Sequence, residues 1–302
     1  MLIVVCATEA GGASNLVPVI KSSNDVKFMV FADKGAIPIF EEANVSYIDC
    51  EFLSDEEVGQ KNSLKLLREL KPNFILCGRT RVLGAERFLV VAARKQDITS
   101  AVIIDEWFDY RYNFVDDQDR IVHLPDIVCC PDEMACKEAE DEGLPKDRLV
   151  PTGSPALSLL MDKIEGYAIN PPEYPNYIEH IDHPIITFMS ETHSIDYGSK
   201  EGSKGVLGNY LGYDEYSVRM DLIDILREIN IKCTVIEKLH PSVNKNIVSQ
   251  PDISGITWHT VSGSTPLALM WHSRIIIGMR SMALLQSALM GVPTASYQPN
   301  LL

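Results

Sequence analysis

Basic residues are scarce in this chain: 27 Lys and Arg stand against 42 Asp and Glu, a formal charge of -15 over 302 residues. Nucleic-acid binding draws on a basic stripe that releases counterions from phosphates. None is visible, so nucleic acid is not expected as a partner and only a local anion pocket remains open. Long hydrophobic runs are missing too. The longest apolar stretches, such as Phe88–Ala93 and the mostly apolar Arg274–Met279, fall far short of the ~20 residues that span a bilayer. No integral membrane segment is therefore expected, while peripheral association stays compatible with the composition. Met1–Cys6 has no basic stretch before its apolar run and leads directly into a turn, so it reads as a first strand rather than a signal peptide. The seven cysteines show no CxxC and no Cys/His ligand spacing, and Cys6, Cys77, Cys129 and Cys130 sit inside apolar, strand-like runs. Reduced, buried thiols of a cytoplasmic protein are expected, not a disulfide framework or a structural zinc.

What the chain does have is a steady alternation of short apolar strands and longer amphipathic stretches. In the first half, strands are expected over Leu2–Ala7, Val26–Phe31, Val45–Ile48, Phe74–Cys77, Ser100–Ile104 and Asp126–Cys130. Between them, helices are expected over Leu16–Lys21, Ile37–Ala43, Glu57–Leu70, Ala85–Lys95 and Glu133–Glu142, with Pro72 closing the third. A strand–turn–helix at Val150–Pro155 leads into a helix over Ala156–Met161. Strands apolar on both faces imply a parallel sheet with helices on each side. A Pro-rich stretch then intervenes, and the rhythm resumes with strands Ile185–Met189, Lys232–Ile236, Ile256–Thr260, Ile275–Gly278 and Thr294–Tyr297. The helices expected there are Glu215–Ile229, Pro266–Trp271 and Met282–Met290. In the first of these, Val218, Leu222, Ile225, Leu226 and Ile229 form one apolar face, with Asp214 as N-cap. The expected fold class is α/β: two doubly wound Rossmann-like domains, 1–165 and 185–302, joined by a linker over 166–184 and facing a cleft at the carboxyl ends of their sheets.

Several loops at those carboxyl ends carry groups suited to chemistry. Glu9-Ala10-Gly11-Gly12-Ala13-Ser14-Asn15 reads as a glycine-bearing turn that lets a ligand approach backbone, with Ser14 as a cap. Its spacing fits neither a dinucleotide fingerprint nor a P-loop. Asp105 and Glu106, followed by Trp107, Phe108 and Tyr110, offer paired carboxylates beside rings, a setting for a general base with a raised pKa and for stacking on a sugar. His240-Pro241 follows a strand and offers an imidazole to a phosphate. Arg280-Ser281 opens a helix, where free N–H groups and the Arg charge make an anion site, and Gln286 lies further along toward a ribose. Ser190, Glu191, Ser264 and Thr265 fall on the same rim of the second domain. In each case the plain alternative is an ordinary strand–loop–helix connection.

Together these segments resemble the GT-B superfamily of nucleotide-sugar glycosyltransferases and the non-hydrolysing UDP-N-acetylglucosamine 2-epimerases that share its fold. The residues that carry the resemblance are Gly11-Gly12, Thr152-Gly153-Ser154-Pro155, His240-Pro241 and Arg280-Ser281, with Gln286 and Gly291-Val292-Pro293 beyond them. The His-Pro pair is also similar to that of CDP-glycerol glycerophosphotransferases and of bacterial sialic-acid and Kdo transferases. The resemblance implies that the second domain holds the nucleotide, with His240 and Ser281 on phosphate and Gln286 on ribose, and that the first holds acceptor and base without a metal or other cofactor. Gln286 stands where many relatives carry Glu, and Thr8-Glu9-Ala10 where epimerases carry Arg-Pro-Glu. The sequence ends just past its last strand, where GT-B enzymes continue with a helix crossing back onto the first domain, which implies truncation or a different closure.

The expected function is an inverting, metal-independent transfer of a sugar from a nucleotide donor to a cell-surface glycan or lipid-linked acceptor, at the cytoplasmic side of the membrane. Asp105 or Glu106 would deprotonate the acceptor, with Glu9 in reserve, while His240, Arg280 and Ser281 stabilise the departing phosphate. A nucleotide-sugar epimerase or hydrolase is the alternative. A GT-B-like subunit without chemistry is the third reading.

Overall fold

The computed structural model describes residues 1–175, 183–240, 243, 250–262 and 266–301. Pro241, Ser264 and Thr265 lie outside the described residues. The chain forms two compact units, Met1–Leu160 and Met161–Leu302.

The first unit runs β1 (Leu2–Ala7), α1 (Ala10–Ser22), β2 (Lys27–Ala32), α2 (Ile37–Glu42), β3 (Ile48–Asp49), α3 (Glu51–Ser54), α4 (Gly59–Leu70), β4 (Phe74–Gly78), α5 (Ala85–Arg94), β5 (Ser100–Ile103), β6 (Ile127–Cys130), α6 (Glu133–Asp141) and β7 (Leu149–Pro151). The strands make one parallel sheet in the order β3-β2-β1-β4-β5-β6-β7. Alternation along each strand explains why they read as unbroken apolar runs. Val4, Cys6, Ile75 and Cys77 enter the core on one face, and Val5, Ala7 and Leu76 enter the core on the other. Both faces are covered, so β1 and β4 carry no polar side chain. The expected third strand shrinks to Ile48–Asp49, paired only with Phe31 and Ala32 at the sheet edge.

Helix α1 begins earlier than its sequence pattern suggests. Gly11, Gly12 and Ser14 are not a turn but the first part of Ala10–Ser22. A Cβ on Gly78 would meet the Gly12 Cα at 2.6 Å. The two glycines thus let α1 press directly on β4, and burial of Leu16 and Val17 further along holds the helix there. Ser14 is no cap: its hydroxyl donates back to the Ala10 carbonyl. At the end of the unit, α7 (Pro155–Ile169) runs through the first residues of the expected linker. Asn15 anchors its start, its Oδ1 accepting from Ser154 Oγ and the Ala156 N–H.

The second unit contains β8 (Ile185–Met189), α8 (His193–Asp196), α9 (Glu215–Ile229), β9 (Cys233–Lys238), β10 (Ile256–Val261), α10 (Pro266–His272), β11 (Ile275–Gly278), α11 (Met282–Leu289) and β12 (Thr294–Ser296). Its sheet is parallel, in the order β10-β9-β8-β11-β12. Asp214 caps α9 as expected, in a reciprocal box with Ser217. The apolar face of α9 is narrower than its spacing implied. Val218, Leu222, Ile223 and Leu226 are buried, while Ile225 and Ile229 are exposed. Ile225 lies about 100° around the helix from Leu226 and turns away from the sheet. Among the described residues, no helix is long and apolar enough to cross a membrane.

Candidate functional site

In each sheet the strand order reverses beside the first strand: between β1 and β4 in the first unit, and between β8 and β11 in the second. Such a reversal opens a crevice at the carboxyl ends of the strands, the usual ligand position in doubly wound sheets. In both units a glutamate two residues past the first strand bridges that reversal.

In the second unit the bridging residue is Glu191. Its Oε1 accepts from the backbone N–H groups of Met279 and Arg280, both at 2.9 Å. Burial pushes the Glu191 carboxyl above its ordinary range, and these N–H donors oppose the shift. The amides before α11, which the sequence offers to an anion, are therefore already satisfied by a carboxylate of the protein. Ser281 is the N-cap, its Oγ accepting from Ala283 N–H at 3.1 Å. Next to Glu191 lies His193, whose Nδ1 is 3.7 Å from Glu191 Oε2. The His193 ring packs 5.3 Å from that of Tyr213 and 5.5 Å from that of Tyr197, and the Arg280 guanidinium stands 5.8 Å over the Tyr197 ring. Burial first, and then the Arg280 charge, hold the His193 pKa down to about 4, so this imidazole is neutral at pH 7. Burial pushes Tyr213 up to about 12. Both His193 ring nitrogens and the Tyr213 hydroxyl are buried with no hydrogen-bond partner among the described residues. A buried polar group without a partner is costly, so this concentration is the candidate site of the second unit.

The other expected residues of this unit sit around that cluster. Ser190 is buried, with its N–H donating to the Lys238 carbonyl. His240 is exposed just past β9, within the field of Asp196 on α8. Gln286 is half-buried in the second turn of α11. Because β9 and β11 flank β8, the ends carrying His240, Glu191 and Ser281 share one edge of the sheet.

In the first unit the bridging residue is Glu9. Its Oε1 accepts from Thr80 Oγ1 and the Arg81 N–H, both at 3.0 Å. Asp105 and Glu106 follow β5 at the same edge, but they are not free carboxylates. Arg79 Nε donates to Asp105 Oδ1 at 2.5 Å, and its Nη2 lies 2.8 Å from Glu106 Oε1. Arg81 Nη2 reaches Glu106 Oε2 at 2.7 Å, and its guanidinium sits 5.1 Å over the Phe108 ring. Burial pushes Glu106 up, opposed by Arg79 and Arg81. Burial also works against the Arg79 cation, but Asp105 and Glu106 outweigh it and raise its pKa. Gly11 faces Asp105 and Gly12 packs on Gly78. A Cβ on Gly11 would lie 1.9 Å from Asp105 Oδ2, so the space that the glycine leaves open is taken by the protein's own carboxylate.

Sequence reasoning missed Arg79, Arg81, Tyr197 and Tyr213. The two arginines carried a signal, since a basic pair directly after a buried strand needs counter-charges. The tyrosines carried none, because only folding brings them to His193.

No protein-family model matches the sequence, and no curated protein matches it. Solved structures are similar in fold. The UDP-GlcNAc 2-epimerase of Neisseria meningitidis bound to UDP-GlcNAc superimposes with a TM-score of 0.68 at 15% identity, over 100% of this chain and 84% of that one. The UDP-GlcNAc 2-epimerase of Methanocaldococcus jannaschii in complex with UDP-GlcNAc and UDP gives 0.67 at 14% identity, over 100% and 85%. The glycosyltransferase SnogD of Streptomyces nogalater gives 0.50 at 12% identity, over 98% and 80%. At such identities the likeness is one of fold alone, the two-unit α/β fold that the GT-B resemblance implied.

Proposed function

We propose that the chain is a nucleotide-sugar enzyme that turns over a UDP-linked amino sugar without a separate acceptor, as a 2-epimerase or hydrolase does. The observation that carries this reading is the buried cluster at the β8/β11 reversal, where His193 and Tyr213 hold unpartnered polar atoms beside Glu191 and Arg280. Support also comes from the fold, since similar structures include epimerases solved with UDP-GlcNAc or UDP. In this reading Arg280, His240 and Ser281 meet the phosphates, Gln286 the ribose, and Ser190 lines the floor. With its amides given to Glu191, the site relies on side chains for the donor.

Inverting the configuration at carbon 2 of a sugar removes a proton from one face and returns one to the other, so it needs a base and an acid. Glu9 is the group proposed for that proton transfer, since Asp105 and Glu106 are held in ion pairs with Arg79 and Arg81. The transferase reading would require Asp105 or Glu106 as a free base toward an acceptor hydroxyl. The ion pairs of Asp105 and Glu106 with Arg79 and Arg81 favour the acceptor-free reaction. No metal or other cofactor is needed.

Incubation of the protein with UDP-GlcNAc alone, followed by proton NMR, tests the reading. A changed sugar stereochemistry or free UDP is expected, with loss in the His193→Asn and Arg280→Met variants. A donor that stays intact until a glycan acceptor is added would establish a transferase instead. Absence of any nucleotide binding in a thermal-shift screen would leave only the fold.

A further inference from the structure

Away from that cluster, the first unit encloses a small cavity lined by Thr80, Glu86, Arg87, Asn113 and His123 on its polar side and by Val90, Val102 and Phe114 on its apolar side. Its room for water centres is ≈ 10 Å³, about one molecule. Glu86 is 2% exposed and Arg87 8%. Each contributes an atom with no partner among the described residues, Glu86 Oε2 and Arg87 Nε, and His123 Nδ1 is a third.

The hydrogen bonds around these residues explain why they do not simply pair with one another. Glu86 Oε1 is fully used, accepting from the Thr8 N–H at 2.6 Å and from Thr8 Oγ1 at 2.8 Å. The terminal nitrogens of Arg87 are spent on backbone carbonyls: Nη1 on Val115, and Nη2 on Thr80, Arg81 and Tyr112. Glu86 is thus a buried carboxyl with no hydrogen-bonded cation, and a lone ionised carboxylate in such a place is strongly disfavoured. The other groups bearing on it are Glu9, whose charge opposes ionisation, and the thiols of Cys6 and Cys77. Burial outweighs the hydrogen bonds from Thr8 and its own amide, and pushes Glu86 up to about 7. Burial and the charges of Arg87 and Arg94 pull His123 down to about 4, which leaves it a neutral acceptor.

We infer that the cavity is a binding site for one ordered water, held by Arg87 Nε, Glu86 Oε2 and His123 Nδ1, and that Glu86 there is a carboxylic acid donating its proton to that water. Every unpartnered atom then finds its complement. Arg87 N–H and the Glu86 O–H donate to the water oxygen, and the water donates to the imidazole. Thr80 lines the same cavity and donates to Glu9, so a titrating proton is stored directly behind the first-unit crevice.

Infrared spectroscopy of the full chain tests the proton, and a high-resolution crystal structure of the wild type tests the water. The expected spectrum at pH 6 contains a protonated-carboxyl band that fades as pH rises through about 7 and is lost in Glu86→Gln. The expected density shows one water within hydrogen-bond distance of Glu86 and Arg87. Absence of the band at pH 6, its persistence in Glu86→Gln, or a dry cavity would each overturn the inference. The crystal result stands even if the variant does not fold.

Discussion

Replacing Arg79 with methionine keeps most of the side-chain volume and removes the cation between Asp105 and Glu106. Arg79 and Asp105 expose only 5% and 8% of their side chains, so water cannot take over the lost role. Breaking a buried pair by deleting one partner costs about 3–5 kcal/mol, because the remaining charge is left desolvated. Here Glu106 keeps Arg81 at 2.7 Å, so the loss falls mainly on Asp105 and the expected value is at the low end, about 3 kcal/mol. Urea unfolding read by circular dichroism, with hydrogen exchange on β1, β4 and β5 to localise the effect, measures it. The double variant Arg79→Met/Asp105→Asn removes the stranded charge and is expected to recover about 2 kcal/mol. A single-variant loss below about 1 kcal/mol, the range of an exposed pair, would show that Asp105 is solvated. It would then be free to act as a base, which would refute the reasoning against an acceptor-dependent transferase.

Further outcomes are open to measurement. The Glu86 pKa is raised in the folded state to about 7, so its contribution to stability is fullest below the unfolded value and is lost as pH rises through about 7. The expected loss between pH 4 and pH 8 is on the order of 3 kcal/mol. Glu86→Gln should flatten that slope in denaturation curves, and an unchanged slope would refute the assignment. Gly78→Ala places a methyl against the Gly12 backbone, and should destabilise the first unit by about 1–3 kcal/mol, visible as a lower urea midpoint. Glu191→Ala leaves the Met279 and Arg280 amides without their acceptor. It should cost about 1–3 kcal/mol in the second unit, and a thermal midpoint equal to wild type would contradict the bridging role. Asp214→Ala removes the cap of α9 and should cost about 1 kcal/mol by the same assay.

The strands were the legible part of this chain. Ile185–Met189 and Ile275–Gly278 are apolar apart from Thr187 because both faces of their sheet are covered, and that signal is local. Helix starts were less so. Gly11 and Gly12 have the composition of a turn, and only the approach of Gly78 from a strand far along the chain makes them helical. The site was legible as a set of loops but not as a set of contacts. Asp105 and Glu106 were found from sequence as acids after a strand, yet their partners Arg79 and Arg81 come from a neighbouring strand's loop and change free acids into ion pairs.

Periodicity and turn residues were therefore enough to determine two parallel α/β units and the edge of each sheet where polar loops gather, because strand and helix patterns depend on neighbours a few residues apart. The tertiary structure alone decided which polar groups are satisfied. Glu191 reaches the amides before α11, Thr8 meets Glu86, and the polar atoms of His193 and Tyr213 are left without hydrogen-bond partners among the described residues. These outcomes depend on burial and on contacts between strands adjacent in the sheet but distant in the chain, and no local pattern of residues encodes them.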